Sequence, residues 1–228
     1  MITNMIEASK AYAIISVKSL LKDKVSFIWG LIFPLIMYVI NRDAINETDL
    51  VYWWTYMLMC SFLYGIGLYT VELRDNGCLR TFFSINESRW AFFIGELITQ
   101  TIYSLVVLFV FDCIVCVIEN YNIIKVFYLS LMNIILVVPV AFGGYIVTLL
   151  KKIHYESVKT IISMLLFLTF ISVSVDSIKE YNLLNIYYSI IVNHTPIIIW
   201  GYIVFSVFSI FIGIIAIQKL NPCSAFCR

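Results

Sequence analysis

The sequence predicts an all-α integral membrane protein. It would have six transmembrane helices, an N-terminal amphipathic helix lying in the interface, and a short extracellular amphipathic helical segment before the last span. Three observations lead there. Of the 228 residues, 62% are hydrophobic and 13% charged, a balance outside the soluble globular range. Apolar runs recur at lengths close to the ~20 residues that a bilayer core demands of a helix. The charged residues collect between those runs, most densely from 72 to 90.

Residues 5–24 come first. Ile6, Ala13, Ile14, Val17, Leu20 and Leu21 recur at helical spacing, with Lys10, Lys18 and Lys22 largely off that face. This reads as an interfacial helix with its lysines at the headgroups. The first span covers about 25–40 and stops before Asn41-Arg42-Asp43. Pro34, near its middle, removes a backbone hydrogen bond and favours a kink. The second span, about 50–71, opens on the aromatic belt Tyr52-Trp53-Trp54. Its Ser61, Gly65 and Gly67 make a small-residue face that lets another helix approach closely.

The segment 72–90 is expected to be a loop, and the third span, about 90–118, is longer than a bilayer needs and so tilts or protrudes. The fourth, about 126–150, carries Pro139 and Gly143-Gly144 and is the span expected to bend. The fifth and sixth cover about 158–175 and 197–217. Between them, Asn182, Asn185, Ser189 and Asn193 make one polar stripe, with Leu183, Leu184, Ile186, Tyr187, Ile190 and Ile191 around the rest. That is a short amphipathic helix lying on or dipping into the membrane, separated from the last span by Pro196.

Orientation follows from lysine and arginine in the short flanks. With the N-terminus inside, twelve fall on the cytoplasmic side: Lys10, Lys18, Lys22, Lys24, Arg74, Arg80, Arg89, Lys151, Lys152, Lys159, Lys219 and Arg228. Three, Arg42, Lys125 and Lys179, fall outside. Both termini and the 72–90 segment are therefore expected in the cytoplasm. No signal peptide is visible, because the first apolar run is long enough to span and lacks a small-residue cleavage site.

Several function classes are set aside. No basic run is dense enough to follow a nucleic-acid backbone. The cysteines do not form a secreted disulfide framework, and Cys113-x-x-Cys116 sits in an apolar span where packing accounts for it. No G-x-x-x-x-G-K-[ST] is present for phosphates and no H-E-x-x-H for metal. His154 and His194 fall on opposite sides of the membrane, so neither can serve a shared site or an intramembrane Ser–His dyad. The chain is not expected to be an enzyme or to hold a metal or cofactor. A secondary carrier would show more midplane charge than this.

Two sets of residues invite a functional reading. Leu79, Phe82 and Phe83 fall at i, i+3 and i+4, giving a short helix with an apolar face that suits a groove on a partner. Glu72, Arg74, Gly77, Arg80 and Arg89 surround it, and charge pairs there would fix the register. Insertion of the two phenylalanines into lipid is the competing account. Tyr56, Ser61, Tyr64, Ser163 and Ser172, with Tyr69 and Thr169, put polar groups on spans two and five. They suit a path for a large amphipathic substrate, and helix packing explains them equally well. Asp112 lies well inside span three. It belongs either to that path or, near Glu119, to a hydrated outer surface. Glu96 reads as an interface residue.

Two local patterns carry a family resemblance. Lys22-Asp23-Lys24 is followed by Phe27-Ile28-Trp29-Gly30-Leu31-Ile32-Phe33-Pro34, and Glu72-x-Arg74-x-x-Gly77-x-Leu79-Arg80 is followed by Ser88-Arg89 and Gly95. Together with the layout of the whole chain, they resemble the membrane subunits of the ABC-2 type family of ATP-binding-cassette transporters. The chain departs from that pattern at Ile85-Asn86-Glu87, where the family often has a proline, and at Glu96, where it often has a lysine. The resemblance implies a half-transporter that pairs with a second permease subunit, identical or not. Each subunit would dock a separate cassette ATPase through the 72–90 segment, with ATP and magnesium held by that ATPase. It further implies a permease subunit in a bacterial plasma membrane that exports an amphipathic peptide of the bacteriocin or lantibiotic kind, or a hydrophobic small molecule. Export of a lipid-linked glycan, a secondary carrier and a non-transport membrane protein are the alternatives.

Overall fold

The computed structural model describes residues 2–22, 24–42, 45–85, 88–150, 153–173 and 182–223; within these, the backbone alone is described for 2–4, 21–22, 24–30 and 85. Several positions used above therefore lie outside the described residues: Asp23, Asp43, Asn86, Glu87, Lys151, Lys152, Lys179 and Arg228. So do the side chains of Lys22, Lys24 and Phe27 to Gly30.

Helix α1 runs Ile2–Lys22 and α2 runs Lys24–Asn41 with Pro34 inside it. A short 3-10 turn leads into α3, Leu50–Phe62, which continues without a break through a π-helical turn, Leu63–Leu68, into α4, Tyr69–Asp75. Then come α5, Cys78–Ile85; α6, Arg89–Glu119; and α7, Ile123–Gly144, extended by a 3-10 turn, Tyr145–Leu149. The chain closes with α8, Tyr155–Ser172; α9, Leu183–Tyr188, with a π turn Ser189–Asn193; and α10, Pro196–Lys219. Among the described residues there is no strand. Five stretches of the described residues are long and apolar enough to cross a membrane: Glu47–Asp75, Arg89–Glu119, Ile123–Leu149, Tyr155–Ser172 and Pro196–Lys219.

The helix boundaries have local causes. The Ser88 hydroxyl accepts the Ala91 amide at 3.2 Å to start α6, and the Asn122 side chain accepts the amides of Ile124 and Lys125 to start α7. Asn120, at φ 57°, ends α6 in the left-handed conformation that asparagine tolerates. Pro196 sits at the opening of α10, where its missing N–H has no helical partner to lose. Helix α7 changes from α to 3-10 immediately after Gly143-Gly144, which is where the sequence expects a bend.

Helices α3, α6 and α7 make the centre, with α10 against α7 and α1 lying on α6. Small residues set the close approaches. A Cβ on Gly67 would stand 2.8 Å from the Gly144 carbonyl oxygen, and one on Gly213 would stand 2.7 Å from Phe142. Polar residues join the central helices from within, as membrane bundles require where water cannot serve. Ser61 donates to Gln100 Oε1 at 3.1 Å and accepts from Ser104 at 2.9 Å, and the Asn133 amide donates to Thr55 at 2.9 Å.

The peripheral helices differ in kind. Along α8 only Val158 and Leu166 are buried, and Met164, Leu165, Phe167 and Leu168 face outward. Helix α10 likewise shows Trp200, Val204, Val207 and Phe211 to its surroundings. Helix α9 turns its polar stripe inward instead of leaving it wet. Asn182 donates to the Thr169 carbonyl at 2.7 Å and to Ser172 Oγ at 2.8 Å, and Asn185 accepts the Tyr52 hydroxyl at 2.8 Å. Tyr188 stacks on Tyr52 at 4.8 Å. Buried Asn182 and half-buried Asn185 thus fasten α9 to α8 and α3, and only Asn193 of that stripe stays exposed.

Helix α1 also differs from the expected face. The side on α6 is Ser9, Tyr12, Ala13 and Ser16, all buried, while Ile6 and Ile14 of the predicted apolar stripe are about half exposed. Small and hydroxylated residues pack closely on a neighbouring helix, which leaves the isoleucines outward beside Lys10 and Lys18. Gly95 makes this possible, since a Cβ there would meet Tyr12 Cβ at 2.7 Å.

Candidate functional site

The charged segment is mostly helix, not loop. Helix α4 carries Glu72, Arg74 and Asp75 beyond the expected end of span two. Gly77, at φ 75°, accomplishes the stop: its amide returns to the Arg74 carbonyl at 3.1 Å, and only glycine takes that left-handed position without strain. One residue later α5 begins, and Ser88 closes the segment as the cap of α6.

The spacing of Leu79, Phe82 and Phe83 does mark one face of a helix, but that face is already filled. Leu79 is fully buried and Phe83 is 6% exposed. Phe83 meets Phe92 edge-on at 5.8 Å, and Phe82 meets Tyr12 at 6.1 Å and Phe92 at 6.3 Å. The Tyr12 hydroxyl donates to the Phe82 carbonyl at 3.3 Å, and burial raises its pKa, so it stays neutral. Leu79 and Phe83 are thus packed within the chain itself, with half-buried Phe82 against Tyr12 of α1 and Phe92 of α6. Leu79→Ala is accordingly expected to destabilise the fold by about 2–3 kcal/mol, read as thermal unfolding in detergent. A variant as stable as the parent would contradict this packing.

Arg74 is likewise not a surface contact. It is 3% exposed. Its Nη1 donates to the Thr148 carbonyl and its Nη2 to the Leu150 carbonyl, both at 2.8 Å, and its Nε lies 3.4 Å from Asp75 Oδ1. Glu72 is half-buried against the Tyr155 hydroxyl. Arg89 donates to the Gln218 carbonyl at the end of α10. What α5 leaves in the open is polar: Cys78, Arg80, Thr81 and Ser84.

The residues placed on a substrate path do not converge. Tyr64 donates to Ser163 Oγ at 2.7 Å and Tyr56 packs on Phe170 at 4.7 Å, so both belong to the α3–α8 contact. Half-buried Tyr69 opens α4, and its hydroxyl meets Ser16 and Ser19 of α1. Ser61 faces α6, and Ser172 accepts Asn182 of α9. A shallow apolar groove of about 220 Å³ lies between α9 and α10, lined by Ile186, Ile197, Gly201, Tyr202 and Phe205 among others. None of the expected path residues borders it.

Two carboxyl groups in α6 change most from their sequence reading. Asp112 is 1% exposed and accepts the Trp54 indole N–H at 2.7 Å. It is covered by protein, which corrects the hydrated-surface reading. Glu96, read as an interface residue, is also 1% exposed and accepts the Ser16 hydroxyl at 2.6 Å beneath α1. Each keeps one carboxyl oxygen without a hydrogen bond. Glu96, Gln100, Ser104 and Asp112 recur at multiples of four along a buried face of α6. That spacing is legible in the sequence, but it becomes a signal only once that face is known to be interior. Among the described residues, no three His, Cys, Asp or Glu side chains come together at metal-binding distance.

No family profile, no curated protein and no solved structure matches this chain. Among the described residues its regular structure is all helical, and five helices are long and apolar enough to cross a membrane, the make-up of a multi-pass membrane protein.

Proposed function

We propose that the chain is the permease subunit of an ATP-driven exporter in a bacterial plasma membrane, with six spans and both termini cytoplasmic. Helix α2, 18 residues and strongly apolar, supplies the sixth span. Two copies, or one copy and a related subunit, form the transport unit among membrane lipids. A separate cassette ATPase supplies ATP and magnesium chemistry, and this chain catalyses none. The cargo is an amphipathic peptide or a hydrophobic small molecule.

The observation that carries this reading is α5. It is a short helix set off from α4 by the Asn76-Gly77 turn, packed on its inner face and polar on its outer one. A docking element needs that combination: a firm seat in its own subunit and an exposed edge of specific charge. The exposed edge moves the expected contact from Leu79, Phe82 and Phe83 to Arg80, Thr81 and Ser84. Arg80→Glu is expected to reduce co-purification of the ATPase by about tenfold or more. Its thermal stability should stay within about 0.5 kcal/mol of the parent, as befits an exposed site. If no cassette ATPase co-purifies with the parent protein, or if Arg80→Glu binds it equally well, the docking reading is lost.

An ion-driven carrier is the second reading, and buried Glu96 and Asp112 favour it. Transport in vesicles separates the two. An exporter requires ATP and its ATPase, whereas a carrier responds to an imposed ion gradient without nucleotide.

A further inference from the structure

Arg74 and Asp75 sit at the end of α4, and each reaches a different helix terminus. The Arg74 guanidinium meets the carbonyls of Thr148 and Leu150, where the 3-10 extension of α7 runs out. Carbonyls at a helix end have no partner within the helix and carry its negative dipole end, so a buried cation there is stabilised twice. Asp75 Oδ2 accepts the amide of Tyr155, the first residue of α8, at 3.0 Å. That amide has no partner within the helix and lies at its positive dipole end, and His154, at the cap position, gives it no side-chain cap bond. The two side chains also approach each other at 3.4 Å. One dipeptide therefore caps both ends of the α7–α8 connection, and the Glu72–Tyr155 contact adds a third tie one turn earlier.

We infer that Arg74 and Asp75 form a rigid joint that makes the α4–α5 turn and the α7–α8 turn move as one body. Helix α5 begins two residues after Asp75, across the Asn76-Gly77 turn. On its other face α5 meets Tyr12 of α1 and Phe92 of α6 through Phe82 and Phe83. A displacement of α5 is therefore passed through the joint to the end of α7 and the start of α8, both far from α5 in the chain. Both residues act as positioning residues. The inference stands on these contacts and does not depend on what, if anything, binds α5.

The test is a distance distribution between nitroxide labels at native Cys78 and at Ser157→Cys. Cys60, Cys113, Cys116, Cys223 and Cys227 are replaced by serine, and the full chain is held in detergent or lipid nanodiscs. A joint gives one narrow peak with Arg74 and Asp75 intact. Arg74→Ala and Asp75→Ala are each expected to broaden it at least twofold. Asp75→Asn keeps an oxygen for the Tyr155 amide and is expected to stay narrow. Hydrogen exchange provides the second reading: in Asp75→Ala it should quicken by about tenfold or more at 155–158 and remain unchanged in the middle of α6. A merely stabilising role would instead quicken exchange throughout and leave the label distance narrow, and that outcome overturns the joint. Should Arg74→Ala fail to accumulate, Asp75→Ala and Arg74→Lys, which leaves a single donor group, decide the question by the same measurements.

Discussion

Trp54→Ala is expected to cost about 3 kcal/mol or more of stability, one of the two largest effects of any single substitution considered for this fold. Trp54 is fully buried between the central helices, and its indole N–H is the described hydrogen bond to Asp112 Oδ1, at 2.7 Å. Truncation removes two things. The ring leaves a void in the buried core that the surrounding side chains cannot fill without leaving their own contacts. The Asp112 carboxyl also loses a donor where no water replaces it. In a membrane the transfer term is small, because the unfolded helix would keep the ring in lipid, so packing and the hydrogen bond supply most of the loss. Trp54→Phe isolates the second part and should cost about 1–2 kcal/mol. Unfolding in mixed micelles measures both, and a double-mutant cycle with Asp112→Ala, which removes the acceptor, measures their coupling. Zero coupling in that cycle, with Trp54→Phe as stable as the parent, would remove the Trp54–Asp112 bond from the account.

Gly67→Val should destabilise by about 2–3 kcal/mol, through backbone contact instead of a lost side chain. Gly67 lies in the π turn of the long second span, and the atoms facing its missing Cβ are the carbonyl oxygen and carbon of Gly144, at 2.8 and 3.3 Å. Backbone at that distance cannot rotate away as a side-chain tip would, so α3 and α7 must separate where α7 turns from α to 3-10. The Arg74 contacts with Thr148 and Leu150 lie just beyond, and their geometry is expected to loosen with it. Gly201→Ala is the control. Nothing lies within 4 Å of its Cβ position, so the substitution should be neutral or stabilise by up to about 1 kcal/mol through helix propensity. Equal thermal unfolding of the two variants would show that the α3–α7 approach is not close.

Part of the site was within reach of the sequence. The helix of α5 was visible, because Leu79, Phe82 and Phe83 sit at helical spacing. So was the turn before it, because Gly77 can take a positive φ. The occupant of the apolar face was not visible, since periodicity says that a face is buried and never by what. The charge of Arg74 suggested a partner for the same reason: a sequence shows that a guanidinium needs acceptors, and here the acceptors are main-chain carbonyls some 75 residues away. No residue type marks such a carbonyl as available. Only the place where α7 happens to end does that.

By itself the sequence determined that the chain is helical and made for lipid. It also set roughly where the long helices lie and that α9 has a polar stripe. These properties depend on composition and on periods of three to four residues, and both are local. The tertiary structure alone decided which faces meet. It turned Ser9, Tyr12, Ala13 and Ser16 of α1 inward and its isoleucines outward, paired the asparagines of α9 with α3 and α8, and put Glu96 and Asp112 into the interior of α6. In a membrane the hydrophobic effect barely distinguishes a core from a lipid-facing surface, since both are apolar. The choice falls to close approach at glycines and to hydrogen bonds between distant polar groups, and those depend on the packed arrangement of the whole bundle.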